Sequence, residues 1–286
     1  MSVLHNDDHA PGYRAIRFNM DWITRPLSGI VLGLIALGVV VYGAEAVAIL
    51  LALGAVLAAL EWHRCVGEGK PPHVQAAVTG LTVAAAEAVL LYVGFWPALA
   101  LVALGTAVSF GLGIKEDSHP FWHAAGTPYL AIPGLSLVAL TAAPHGSLMV
   151  IGMLLIVWAT DTGALVVGKL VGGPRIAPRL SPNKTWAGTI GGSVIAALVF
   201  AFYLDNLLGG SVLPALIFGF VFSFAAHLGD LGESMMKRRF GVKNSGSIIP
   251  GHGGVLDRID STLLAAPVMA LLVFVGHFTP LFGVHA

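Results

Sequence analysis

Residues 27–61 read LSGIVLGLIALGVVVYGAEAVAILLALGAVLAALE, a run whose only charged residues are Glu45 and Glu61. A membrane-crossing helix needs roughly 20 predominantly apolar residues, so this run exceeds what one crossing uses. The tetrapeptide YGAE, Tyr42–Glu45, carries a glycine turn signal. Splitting there gives two spans, 27–42 and 45–61. The same argument at GFWP, Gly94–Pro97, separates 74–93 from 96–114. Further apolar segments at 124–143, 147–168, 186–207, 211–229 and 261–282 bring the expected spans to nine. Several are rich in Gly and Ala, which suits close helix packing in lipid.

The composition agrees with that reading. The chain has 286 residues, 56% hydrophobic and 10% charged, with a mean hydropathy of +0.84; a soluble domain carries roughly 25% charged residues. Net charge is zero, so no global basic field argues for nucleic acid. Cys65 is the only cysteine, which excludes an intrachain disulfide and a cysteine-rich metal site. The stretch 1–26 is polar and lacks the apolar core of a signal peptide. It reads as a cytoplasmic tail ahead of a membrane domain over 27–286, with the first span an uncleaved anchor. No internal repeat or low-complexity linker interrupts the chain.

Positive charges test the span count. Arg14, Arg17 and Arg25 precede the first span, and Arg64 and Lys70 follow the second. Lys115 follows the fourth, and Lys169, Arg175, Arg179 and Lys184 follow the sixth. Lys237, Arg238, Arg239, Lys243 and Arg258 follow the eighth. Together these are all 15 Lys and Arg of the chain. They fall on one side of an alternating nine-span topology, so the positive-inside rule puts the N-terminus and both long loops, 169–185 and 230–260, in the cytoplasm. The fold expected is an all-α polytopic protein of about nine transmembrane helices with its chemistry at the cytoplasmic face.

The last long loop and its flanks read HLGDLGESMMKRRFGVKNSGSIIPGHGGVLDRIDS. If the eighth span continues as a helix, Asp230, Glu233, Ser234 and Lys237 share one face, with His227 a turn earlier. A carboxylate such as Asp230 after a long apolar run is a functional candidate by default. Asp257 and Asp260 stand at the entrance to the ninth span, where helix capping would also account for them. Gly251, Gly253 and Gly254 form either a plain turn or a backbone approach to phosphate. Mg²⁺ takes one or two carboxylates together with phosphate oxygens, and Asp230 and Asp257, at the two ends of one hairpin, could converge on it. Lys237, Arg238, Lys243 and Arg258 could neutralise phosphates, and His252 could bond one or move a proton. These residue types suit phosphoryl or nucleotidyl transfer, which is mostly positioning and charge stabilisation.

The other loop adds Asp161 within the sixth span and Lys169 about two turns further on. Ser181, Asn183, Lys184 and Thr185 precede the seventh span, either as a phosphate site or as a cap with a basic anchor. A buried structural hydrogen bond would equally account for Asp161. His63, His73, His119, His123 and His145 read as interfacial residues, and Glu87 as a helix–helix hydrogen-bonding group.

The run Ser234–Asp260 (SMMKRRFGVKNSGSIIPGHGGVLDRID) closely resembles the signature of phosphatidate cytidylyltransferases. HLGDLGES upstream, WATDTGA at Trp158–Ala164, SPNKTWAG at Ser181–Gly188 and the pair Glu61–Trp62 support it. The motifs cover about a third of the chain. The resemblance implies an enzyme that condenses CTP with phosphatidic acid, using Mg²⁺, to give CDP-diacylglycerol and pyrophosphate at the cell (inner) membrane. It implies metal binding by Asp230 and Asp257, and phosphate contacts from Lys184, Lys237, Arg238, Lys243 and Arg258. It also implies parts for Asp161, His252 and Asp260, and a homodimer. The sequence departs from the family pattern at Asn244, where Asp is usual, and at Ala187, where Glu is frequent. These departures leave a catalytically weakened paralogue as an alternative. A CTP-dependent kinase or cytidylyltransferase for another membrane lipid is a second. A transporter fits poorly, because the polar residues gather at one face and no repeat is present.

Overall fold

The computed structural model describes residues 29–68, 72–208, 211–246, 248 and 253–275. Among them run nine helices: α1 (Gly29–Tyr42), α2 (Ala44–Val66), α3 (His73–Tyr92), α4 (Phe95–Lys115), α5 (Pro120–Ala142), α6 (Gly146–Val171), α7 (Trp186–Leu208), α8 (Val212–Arg239) and α9 (Leu256–Phe274). Within the described residues each expected span overlaps one of them. Seven, α2 to α8, are long and apolar enough to cross a membrane. Helix α1 is shorter, and α9 opens on Asp257, Arg258 and Asp260, which dilute its apolar run. The turns chosen from YGAE and GFWP are where the chain reverses. Gly43 and Gly94 take φ of 116° and 128° there, a region closed to residues with a Cβ.

Several helices outrun their expected bounds. Helix α2 continues through Glu61–Val66, α8 through Arg239, and α9 begins five residues before 261. Apolarity marks where lipid ends, whereas backbone hydrogen bonding carries a helix on into the headgroup layer. At 1.5 Å per residue, the 28 residues of α8 span about 42 Å. A crossing of about 30 Å begun at Val212 therefore reaches the far hydrocarbon boundary near Asp230.

Small residues set the close contact between α6 and α7. Gly188 and Gly192 on α7 face α6 so closely that a Cβ on Gly192 would lie 2.6 Å from the Thr160 carbonyl oxygen. Side chains there would push the helices apart. The opposite face of α7 presents Ile190, Val194, Leu198 and Phe202, all exposed and four residues apart, as a lipid-facing stripe. The loop expected at 169–185 contains an antiparallel hairpin, β1 (Arg175–Ala177) with β2 (Ser181–Thr185). The Thr185 hydroxyl accepts the Gly188 N–H at 3.1 Å, so this residue caps α7.

Three sequence expectations change. His63 and His123 are not interfacial: both are buried, and their Nδ1 atoms lie 2.8 Å apart. They join Ser118, Thr79, Thr127 and Ser109 in one buried hydrogen-bonded chain across α2 to α5. Glu87 does not bond a neighbouring helix. It is buried against Gly134, and neither carboxyl oxygen has a hydrogen-bond partner among the described residues.

Candidate active site

Chain reversals put the C-terminal ends of α2, α4, α6 and α8 and the N-terminal ends of α3, α5, α7 and α9 at one end of the bundle. The α8 face read from the sequence is present. Ser234 Oγ donates to Asp230 Oδ1 at 3.4 Å, and Lys237 Nζ lies 3.2 Å from Glu233 Oε1. Glu233 is fully buried. Lys237 also donates to Asp257 Oδ1 at 2.7 Å, tying the end of α8 to the start of α9.

The connection between those helices is organised by two carboxylates. Asp257 Oδ2 accepts the backbone N–H groups of Ser245 (3.1 Å) and Gly254 (2.9 Å). Glu61, arriving from α2, accepts the N–H groups of Val255 and Leu256, both at 2.9 Å, and the Ser245 hydroxyl at 3.2 Å. The first N–H groups of a helix have no partners of their own, and Glu61 supplies them with a negative charge where the helix dipole favours it. Gly254 is required by this approach, since a Cβ there would collide with Ser245 Oγ and Glu61 Oε2. Burial pushes the Asp257 carboxyl up. The Lys237 hydrogen bond, then the Gly254 N–H, outweigh it and hold Asp257 below the ordinary carboxylate value.

A second group lies deeper. Asp161 is ten residues short of the end of α6, about 15 Å along the helix. Ser261 Oγ donates to its Oδ1 at 3.2 Å, and the Ser261 N–H donates to Asp260 Oδ1 at 2.7 Å. Asp161 lies in the field of Asp260 and Asp230, and Asp260 in that of Asp230, with Glu233 nearby. Lys184, from β2, forms an ion pair with Asp230. Asp161, Asp230, Glu233, Asp257 and Asp260 are thus gathered around two lysines, an acidic excess that calls for cations.

Among the described residues, no three His, Cys, Asp or Glu side chains are close enough to form a ready-made metal cage. The donor set suits a cation shared with phosphate oxygens, which needs only one or two carboxylates. Glu233 Oε2, buried and without a hydrogen-bond partner among the described residues, is an orphan acceptor of the kind such an ion satisfies. Asp230 and Asp257 take different partners. The former pairs with Lys184, and both oxygens of the latter are engaged by Lys237 and the loop.

The remaining expected residues take outlying places. Lys169, Lys243 and Arg258 are exposed at the rim. Arg238 is exposed and donates to the carbonyls of Leu180 and Val242, bracing the hairpin against the loop. Ser181 opens β2, and Gly253 adjoins the Asp257 clamp. His252 lies outside the described residues, as do the tail arginines. Sequence reading missed the clamp by Glu61 and the part of Ser245; the only signal was the Glu61–Trp62 pair.

A lipid-depth cluster of acids and lysines beneath a glycine-bearing loop defines a membrane-embedded group-transfer enzyme. The chain belongs to the cytidylyltransferase family, whose profile it matches over residues 23–275. It is 37% identical over 195 residues to a phosphatidate cytidylyltransferase of Brucella suis biovar 1 (strain 1330), covering 68% of this chain and 69% of that protein. It is 39% identical over 171 residues to one from Rickettsia bellii (strain RML369-C), covering 55% and 74%. A Staphylococcus haemolyticus (strain JCSC1435) phosphatidate cytidylyltransferase is 45% identical over 122 residues, covering 42% and 46%.

Proposed function

We propose that this protein transfers CMP from CTP to phosphatidic acid in the inner membrane, forming CDP-diacylglycerol for phospholipid synthesis. A phosphate oxygen of the lipid attacks the α-phosphorus of CTP. The bond from that phosphorus to the β-phosphate bridging oxygen breaks, and pyrophosphate leaves. The observation that carries this reading is depth: Asp161, Asp230 and Asp260 gather near the hydrocarbon boundary, the level of a lipid phosphate, below a rim of exposed cations. The one-sided Lys and Arg distribution supports a cytoplasmic site, where CTP is available.

Asp161, Asp230 and Asp260 would hold Mg²⁺, which when bound neutralises phosphate charge during transfer. Lys184 and Lys237 stand within this acidic group and offset charge on the phosphates. Lys237 also fixes α8 to Asp257, and Glu61 with Asp257 holds the loop in place, so the site is organised before substrate arrives. The exposed Lys169, Lys243 and Arg258 attract the nucleotide triphosphate.

The test is CDP-diacylglycerol formation by detergent-purified protein from labelled CTP and phosphatidic acid with Mg²⁺, with Asp260→Asn alongside. Product from the parent protein and at least a hundredfold less from the variant is the expected result. No product from the parent with phosphatidic acid, but cytidylyl transfer to another lipid phosphate, would refute the substrate assignment.

A further inference from the structure

Tyr129 lies midway along α5. Its ring packs on Trp62 with centroids 4.8 Å apart, and the Trp62 indole N–H donates to the Trp122 carbonyl at 2.9 Å. Gly126, one turn before Tyr129, makes room for that indole: a Cβ there would lie 2.5 Å from Trp62 Nε1. The phenol is therefore fixed by its neighbours. Its hydroxyl oxygen is buried and has no hydrogen-bond partner among the described residues.

The surroundings of that hydroxyl make its solitude informative. The carboxylates acting on it electrostatically are Glu233, then Asp260 and Asp230, the acids of the candidate site. Three acids thus lie within electrostatic reach of this donor, yet none among the described residues bonds it. Glu233 Oε2 is left without a hydrogen-bond partner in the same region. Buried polar atoms are almost always satisfied, and an exception points to a missing water, ion or ligand. The group that completes this place must accept from a phenol while standing among acids, which a phosphate oxygen does when a cation lies between it and the carboxylates.

We propose that the Tyr129 hydroxyl donates a hydrogen bond to a phosphate oxygen of bound substrate, making α5 a fourth wall of the site beside α6, α8 and α9. This rests on the proposed phosphotransfer reading. The oxygen belongs either to the nucleotide or to the lipid phosphate, and the test separates them. Tyr129→Phe removes the hydroxyl and keeps the ring against Trp62.

Three measurements on the purified full chain decide it. First, the ligand-free variant melts at or above the parent temperature, because the lost hydroxyl had no partner; a clearly lower melting point would show that it had one, and overturns the proposal. Second, kcat/KM falls about 10- to 100-fold, the loss expected for a hydrogen bond to a charged group. Third, without turnover, the thermal shift from pyrophosphate with Mg²⁺ or from dioctanoyl phosphatidate shrinks in the variant. Loss confined to pyrophosphate and the KM for CTP assigns the nucleotide, and loss confined to dioctanoyl phosphatidate and its KM assigns the lipid. Unchanged kinetics and unchanged shifts in both arms overturn the proposal. A parent protein that binds pyrophosphate but makes no CDP-diacylglycerol would fail the substrate reading alone, leaving the hydroxyl to be judged by the binding arms.

Discussion

Glu61→Ala should unfasten the loop over the active site without unfolding the bundle. The side chain is 2% exposed and accepts two backbone N–H groups at 2.9 Å and one hydroxyl at 3.2 Å. Truncation leaves the Val255 and Leu256 amides and the Ser245 hydroxyl without their acceptor. Each buried donor so stranded costs about 1–3 kcal/mol, and removal of a charge from a helix N-terminus costs about 0.3–1 kcal/mol more. Water entering the vacated space recovers part of this, so the local closed state loses about 3 kcal/mol, roughly a hundredfold in its opening equilibrium. Amide hydrogen exchange of the protein in detergent reads this directly. Peptides covering 253–260 should lose about a hundredfold in protection, while those within α6 and α7 keep theirs. Transfer activity should fall in parallel. Glu61→Gln, which keeps one carbonyl acceptor but turns an amide NH₂ toward a donor, should fall between. Unchanged exchange at Val255 and Leu256 in Glu61→Ala would refute the clamp, whatever happens to activity.

Asp257→Asn should destabilise the protein near neutral pH and do so less as pH falls. Asp257 is held below its ordinary value of about 3.9, so its contribution is complete above about pH 4 and is lost as pH drops through the folded value; melting curves of both proteins from pH 7 to 3 should converge. Gly254→Ala should cut initial transfer rates at least tenfold, because the new Cβ falls on Ser245 Oγ and Glu61 Oε2; a rate within twofold of the parent would mean that the loop shifts freely. Lys184→Met should lower the Mg²⁺ concentration giving half-maximal rate while reducing the maximal rate, since Lys184 occupies Asp230 in competition with a cation. A Mg²⁺ titration of initial rates reads both quantities.

The parts of this architecture legible in the sequence are those that follow from one-dimensional rules. Helix positions came from the length of apolar runs, and the reversals at Gly43 and Gly94 from turn chemistry. The Asp230–Glu233–Ser234–Lys237 face came from helical periodicity alone. What stayed hidden depends on contacts between distant segments. Glu61 meets Leu256 across 195 positions, and His63 meets His123 across 60. No local pattern distinguishes such carboxylates and imidazoles from interfacial ones. The hairpin at Arg175–Thr185 was hidden because three- and five-residue strands carry too little alternation to register.

The signature itself shows the same limit at closer range. Ser234–Asp260 reads as one motif with HLGDLGES before it, and the places of Asp230 and Asp257 at the two ends of one hairpin suggest a metal pair. In the fold, Asp257 sits in the first turn of α9, where Lys237 and two loop amides take its oxygens. Asp260, three residues further on and about 4.5 Å deeper along the helix, leaves the two loop amides behind and lies in the field of Asp230 and Lys237, near Glu233. One turn of helix therefore separates an acid that holds the loop from an acid that joins the deeper group. Substituting either should abolish transfer, but for different reasons. Asp260→Asn should leave amide protection over 253–260 intact, whereas Asp257→Asn should lower it. If both variants kept that protection and differed only in Mg²⁺ dependence, Asp257 would be a metal ligand after all, and the division of labour argued from its hydrogen bonds would be wrong.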